Sequence, residues 1–259
     1  MSEIFGIDVS HYQYGIDWKK VAAQNKKFAI IKCMYEAQGH KIDERFEENY
    51  RGCGIYGLAR GVYIFIGRSS IADPVGDAKA LLKHLNGRPL EYGIWLDYES
   101  DHLRKLGKDK IKTLTYKYAE LFRAAGYYVG IYCNKDWYDK VIHADLKRDF
   151  DFWIARYPKN DVGKYSTISP LKPSYKQAVA WQYSSKGHVD GIGPAVDLDV
   201  DFDGVVNLIG SAPKKTNEEI AQEVLKGIWG NGTTRKKLLT SAGYDYKTIQ
   251  RIVNEYTKR

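Results

Sequence analysis

Cysteine is scarce, with only 3 in 259 residues: Cys33, Cys53 and Cys133. An odd number, widely spaced, offers neither a disulfide framework nor paired metal-ligand spacing. Buried free thiols in a chain that folds under reducing conditions are expected instead. Long apolar runs are also missing. None approaches the roughly 18 residues that a membrane-spanning helix needs, so no membrane insertion is expected. The opening MSEIFGIDVS has no basic stretch followed by an apolar one, so no secretory signal is read. The 6 histidines (His11, His40, His84, His102, His143 and His188) never fall in an HExxH pattern, which gives no support to zinc-amidase chemistry. Gly227-x4-Gly232-Thr233 lacks the lysine of a phosphate loop. Asp199-Val-Asp201-Phe-Asp203-Gly204 starts like a calcium loop but would put Gly210 where the closing glutamate belongs. No metal and no other cofactor is expected.

Aromatic residues and positive charge are plentiful. The chain has 21 Tyr and 6 Trp, which suit both a packed core and a surface that stacks on sugar rings. Its formal net charge of +8 draws it toward polyanions of any kind. From Ala212 onward 10 Lys and Arg stand against 5 Asp and Glu, so the tail carries most of the excess. Its Arg235-Lys236-Lys237 run covers one helical turn without an aromatic platform, so nucleic acid is not the expected partner.

Short β-rich segments recur at Ile4–Val9, Phe28–Met34, Gly61–Ile66, Tyr92–Tyr98, Tyr127–Cys133, Phe152–Arg156, Ala178–Tyr183 and Val196–Phe202. Several are continuous apolar runs, as in parallel strands covered on both faces. Amphipathic stretches separate the early ones: Asp17–Lys27, Asp43–Tyr56, a helix opened by Asp73 and Pro74, and Lys108–Ala125 with Ile111, Leu114, Tyr118, Leu121 and Phe122 on one stripe. Strand–helix alternation predicts an α/β fold, here an irregular (β/α) barrel of eight strands and about five helices. Residues 1–209 form this barrel in our reading, residues 210–216 a polar linker, and residues 217–259 a small three-helix bundle. Thr216 and Glu219 offer the bundle a capping box; Trp229 and Tyr244 are its expected anchors.

Reacting groups of a parallel barrel sit at the C-terminal strand ends. Asp8, Asp97 and Glu99 fall there, and Asp197 lies in the eighth strand. Residues 97 and 99 share one side of their strand, about 6.6 Å apart along the chain. A solvated strand end, or an ion pair with Lys32 or Arg156, would explain any one of these acids. Four converging on one mouth argue for a site. Cleaving a glycosidic bond needs one acid that keeps its proton and negative charge beside an oxocarbenium-like centre, and clustered carboxylates supply both.

The segments Gly6-Ile7-Asp8-Val9-Ser10-His11-Tyr12-Gln13, Phe28-Ala29-Ile30-Ile31-Lys32, Trp95-Leu96-Asp97-Tyr98-Glu99, Trp153-Ile154-Ala155-Arg156-Tyr157, Trp181-Gln182-Tyr183 and Val196-Asp197-Leu198-Asp199 resemble glycoside hydrolase family 25. These are the muramidases, or lysozymes, common among phage endolysins. The resemblance implies bacterial peptidoglycan as the partner and the β-1,4 bond from N-acetylmuramic acid to N-acetylglucosamine as the target. It implies Glu99 as general acid and Asp97 as a residue that orients the N-acetyl group or stabilises positive charge. Asp8 and Asp197 would complete an acidic floor. Tyr63, Phe65, Tyr157, Trp181 and Tyr183 would line a saccharide groove, each of them equally suited to core packing. Where the family often has Ala-Thr-Glu-Gly this chain has Cys33-Met34-Tyr35-Glu36-Ala37, so Glu36 is not assigned to the site. The tail, through Trp229-Gly230-Asn231-Gly232, Arg235 and Ala242-Gly243-Tyr244-Asp245-Tyr246, resembles the helical cell-wall-binding repeat of phage lysins. That implies wall contacts from Arg235, Tyr244, Tyr246 and Asn231. A single repeat binds weakly, so avidity with the catalytic groove or self-association would supply the rest. Synthesis in a bacterial host cytoplasm without a signal peptide, then release to the wall, fits this reading. A non-catalytic glycan-binding protein on a hydrolase fold and a related hydrolase such as a chitinase are the alternatives.

Overall fold

The computed structural model describes residues 3–34, 40–202, 204–205, 216–225, 227, 229–241 and 244–257. Apart from Thr216 the expected linker lies outside them, as does Glu36. Eight strands close into a barrel in sequence order: β1 (Ile4–Val9), β2 (Phe28–Met34), β3 (Ala59–Phe65), β4 (Gly93–Asp97), β5 (Val129–Asn134), β6 (Phe152–Ala155), β7 (Ala178–Gly187) and β8 (Val196–Asp201). Pairing is parallel from β1 through β7. It is antiparallel where β8 meets both β7 and β1. The irregular eight-stranded barrel is as expected; the parallel pairing expected of its βαβ units stops at β7. Only residues 188–195 join β7 to β8, too short a link for a helical crossover, so the chain must turn back.

Eight helices surround the barrel among the described residues: α1 (Trp18–Ala23), α2 (Phe46–Ile55), α3 (Arg68–Ala72), α4 (Pro74–Leu85), α5 (Asp101–Arg104), α6 (Lys108–Ala124), α7 (Lys135–Lys140) and α8 (Ala144–Asp149). Five of them span one to two turns, too short for a 3.6-residue period to show in sequence. The longer ones start where their chemistry dictates. Asp73 accepts the Gly76 N–H at 2.9 Å with Pro74 in the first turn of α4.

Two apolar layers result. One lies between strands and helices and includes Ile7, Ile31, Val62, Leu96 and Ile131, all buried. The other fills the barrel with Phe28, Tyr92, Trp95 and Trp153. Large rings fit inside because glycines face them. A Cβ on Gly6 would lie 2.4 Å from the Phe28 ring, and one on Gly130 would lie 2.4 Å from Trp95. Cys33, Cys53 and Cys133 are buried free thiols, as expected.

The tail forms α9 (Asn217–Leu225), α10 (Gly232–Ser241) and α11 (Tyr246–Thr257). The capping box is reciprocal: Thr216 N–H donates to Glu219 Oε2 at 2.7 Å and Glu219 N–H to Thr216 Oγ1 at 3.2 Å. Ile220, Val224, Trp229, Leu239, Ile249 and Val253 make a separate small core, against which Ile55 of α2 also packs. Gly54 lets the seam close, since a Cβ there would stand 2.7 Å from Leu238.

Candidate active site

Asp97 ends β4, Glu99 follows two residues later, and Asp8 is the fifth of six residues in β1. Asp197 reaches the same mouth from the opposite direction. It is the second residue of the reversed β8 and pairs in register with Asp8. The reversal is what lets an acid near the start of β8 join those at the ends of β1 and β4. The four acids open onto one cavity of about 220 Å³, together with Tyr63, Tyr132, Trp153, Tyr157 and Gln182.

Burial governs the charge state of these acids. Asp97 is buried, and its Oδ1 meets no hydrogen-bond partner among the described residues. Desolvation first, and the neighbouring Glu99 second, hold its carboxyl well above the ordinary range, while Lys32 opposes them. Glu99 is the exposed member of the pair. The protein around it still raises its pKa by desolvation, again against Lys32. Asp197 is pushed up to about 6, by burial and then by Glu99 and Asp161. Asp8 is raised by burial, then by Asp197 and Asp199. Carboxyls that share protons near neutrality can give one to a leaving oxygen and leave negative charge behind.

Of the aromatic residues expected to line a groove, Tyr63 and Tyr157 do so. Phe65 does not line the cavity; Lys32 Nζ lies 5.9 Å from its ring centre. Trp181 and Tyr183 do not line the cavity. Gln182 between them faces inward, so strand alternation turns both outward. Trp181 donates its indole N–H to the Arg156 carbonyl at 2.7 Å, and both rings pack on Tyr165. A strand buried on both faces gives no sequence signal for which parity points inward. Sequence reasoning missed Tyr132, Trp153 and Gln182. The lone polar residue in Trp181-Gln182-Tyr183 was the signal: a buried amide needs a polar partner, and Gln182 donates to Asp8 Oδ2 at 2.7 Å.

A larger cleft of about 570 Å³ lies at the seam between barrel and tail, lined by Glu47, Lys83, His84, Arg88 and Thr234 among others. Its acid is unsuited to proton transfer. His84 and then Arg88 outweigh desolvation and hold Glu47 at about 2. Within the tail, Arg235 binds its own fold, donating to Gly230 O, Gln250 Oε1 and Asn231 Oδ1, each at 3.0 Å. Tyr244 packs edge-on against the buried Trp229. Asn231 is exposed, and Tyr246 lines a shallow groove of about 410 Å³ with Gln250 and Arg251.

Comparison with known proteins agrees with this geometry. Residues 7–192 match the profile described as glycosyl hydrolases family 25, and residues 218–256 match the CW_7 repeat. The uncharacterized protein YegX of Escherichia coli O157:H7 is 29% identical over 215 residues, 78% of this chain and 70% of that protein. The lysozyme of Streptococcus phage Cp-7 is 31% identical over 163 residues, 62% of this chain and 45% of the phage protein. The crystal structure of a bacterial lysozyme from Streptomyces coelicolor shares the fold with a TM-score of 0.65 at 24% identity, covering 81% of this chain and 97% of that one. An acid-lined mouth on an eight-stranded barrel with a reversed last strand, matched over most of its length by one family, leaves one assignment: the chain belongs to the glycosyl hydrolases of family 25.

Proposed function

We propose that this glycoside hydrolase is a peptidoglycan muramidase that cuts the β-1,4 bond between N-acetylmuramic acid and N-acetylglucosamine, in the setting of an endolysin. The observation that carries the reading is the gathering of Asp8, Asp97, Glu99 and Asp197 around one cavity edged by Tyr63 and Tyr157. Glu99, the most exposed of the four acids, protonates the leaving oxygen. Asp97 behind it holds negative charge toward the developing positive centre, or steadies the acetamido group. Asp8 and Asp197 form the floor. Tyr63 and Tyr157 offer ring faces and hydroxyls to the saccharide, a pairing suited to sugars that are apolar on one face and polar at the edge.

The tail holds the enzyme at the wall, with Asn231, Tyr246 and the groove of α11 as contacts. Its ten cations favour an anionic polymer. One repeat beside one catalytic groove gains by avidity, since binding through one raises the effective concentration of the other.

The reading is tested on purified peptidoglycan. Wild type releases reducing ends, and mass spectrometry finds muramic acid at the reducing end of the products. Glu99→Gln slows release by about 10²- to 10⁴-fold, the usual worth of a general acid. Equal rates for the two proteins, or N-acetylglucosamine at the new reducing end, would overturn it.

A further inference from the structure

Beneath the four acids lies a fifth that the reaction as described does not use. Asp199 is on the inner face of β8 and fully buried. Its register partner on β1 is Gly6, which carries no side chain, so Asp199 and Asp8 meet across the diagonal of the strand pair, and their carboxyls are in hydrogen-bond contact. Each is also held by one fixed neutral donor. Trp153 Nε1 donates to Asp199 Oδ1 at 2.8 Å, and Gln182 Nε2 donates to Asp8 Oδ2 at 2.7 Å. The Gln182 amide cannot turn around without loss, because its Oε1 accepts the Tyr132 hydroxyl at 2.9 Å. Asp199 Oδ2 has no N–H or O–H donor among the described residues. Two carboxyl groups in hydrogen-bond contact attract only if one of them carries a proton.

We propose that Asp199 is a positioning residue for this site, which shares one proton with Asp8 and thereby keeps Asp8 neutral at the mouth while the negative charge rests below it. This rests on the muramidase-type reading of the four acids above. Charges around the pair favour that division. Burial first and Asp197 second raise the Asp199 carboxyl as well, but the Trp153 indole, the contact with Asp8 and Lys26, partly buried ahead of β2, all oppose them and favour the anion there. Asp197, directly opposite Asp8, disfavours a second anion there. From the remaining elements, Lys32 of β2 acts on Asp97 and Glu99 after β4. Tyr63 of β3, Tyr132 of β5 and Tyr92 before β4 stay neutral, their hydroxyls raised by burial, and so does the Tyr183 hydroxyl of β7. Asp201 lies deeper along β8 and accepts the Gly204 N–H.

The consequence concerns pH. With Asp199 in place the pair has one negative charge, held away from Glu99 and Asp197. In Asp199→Asn the amide cannot accept charge, so Asp8 loses its proton and the anion moves up to the mouth. There it raises the pKa of Asp197 and Glu99. The alkaline limb of kcat/KM therefore moves to higher pH. Asp8→Asn, which leaves the anion on Asp199, lowers activity without moving that limb. A residue that only supported the fold would lower the whole profile in place.

Infrared difference spectra of the full chain at neutral pH provide a readout independent of hydrolysis. Wild type minus Asp199→Asn, and wild type minus Asp8→Asn, should each show one lost carbonyl band of a protonated carboxylic acid. If Asp199→Asn folds poorly, the Trp153 indole N–H resonance of the wild type serves instead. It should stay fixed across the range where Asp197 titrates. Loss of the infrared band together with the displaced limb supports the proposal. An unchanged band in both variants, or a Trp153 resonance that titrates with Asp197, overturns it. If no variant nor the wild type cuts peptidoglycan while the band behaves as described, the functional reading fails and the shared proton stands.

Discussion

At the scale of single residues, the site sets buried Asp8 and Asp97 and half-buried Asp197 beside the exposed Glu99. Asp97 has an ordinary carboxyl value of 3.8, and burial beside Glu99 raises it well above that in the fold. Between those two values the native protein holds a proton that the unfolded chain has released. Stability therefore falls as pH rises through that window. Asp97→Asn removes the loss. Its melting temperature should exceed that of wild type at neutral pH and fall back toward it on acidification to about pH 4, near the unfolded carboxyl pKa, while activity drops at every pH. Calorimetry across that range checks the sign; a variant less stable than wild type at neutral pH contradicts it. The four acids were legible in sequence because charged residues inside strand-like runs are conspicuous. Trp153 was not, because a buried indole looks like core until its partner is known, and the lone amide of Gln182 signalled a polar partner without naming it. Trp181 and Tyr183 were misplaced by one strand face.

At the scale of elements, capping and glycine placement do measurable work. Asp73→Ala removes the side-chain acceptor of α4 and should cost about 1 kcal/mol, or a melting shift of about 2–4 °C in a chain of this size. Inside the barrel the penalty is steric. Gly130→Val would drive a side chain into the Trp95 ring, which itself packs edge-on against Trp153 at 6.0 Å. Overpacking of this kind costs about 1–3 kcal/mol. Thermal melts and near-ultraviolet circular dichroism would register both the lost stability and the displaced indoles; native spectra and an unshifted melt would refute the steric account. Strand positions and the long helices α4 and α6 were readable from apolar runs, stripes and caps. The reversal of β8 was not. Its composition suits either direction, and only the short connection from β7 determines which way it runs.

At the scale of the whole molecule, barrel and tail meet through Gly54, Ile55 and Leu238. Gly54→Leu places a side chain where Leu238 now lies. The tail should swing free, seen as a larger radius of gyration in small-angle scattering, with hydrolysis of soluble glycan fragments unchanged. An unaltered radius would mean that the seam tolerates the bulk. Sequence alone determined the class of fold and the capping box at Thr216, and it singled out four acids that the fold brings to one cavity. Each of these follows from local chemistry: periodicity, caps and the rarity of charge within strands. Tertiary structure decided the rest. The reversed β8 brought Asp197 opposite Asp8, closure of the barrel buried Asp97 and Asp199, and strand parity turned Gln182 inward. Each depends on contacts between residues far apart in the chain, and desolvation, which sets the protonation of the site, exists only once those contacts have closed.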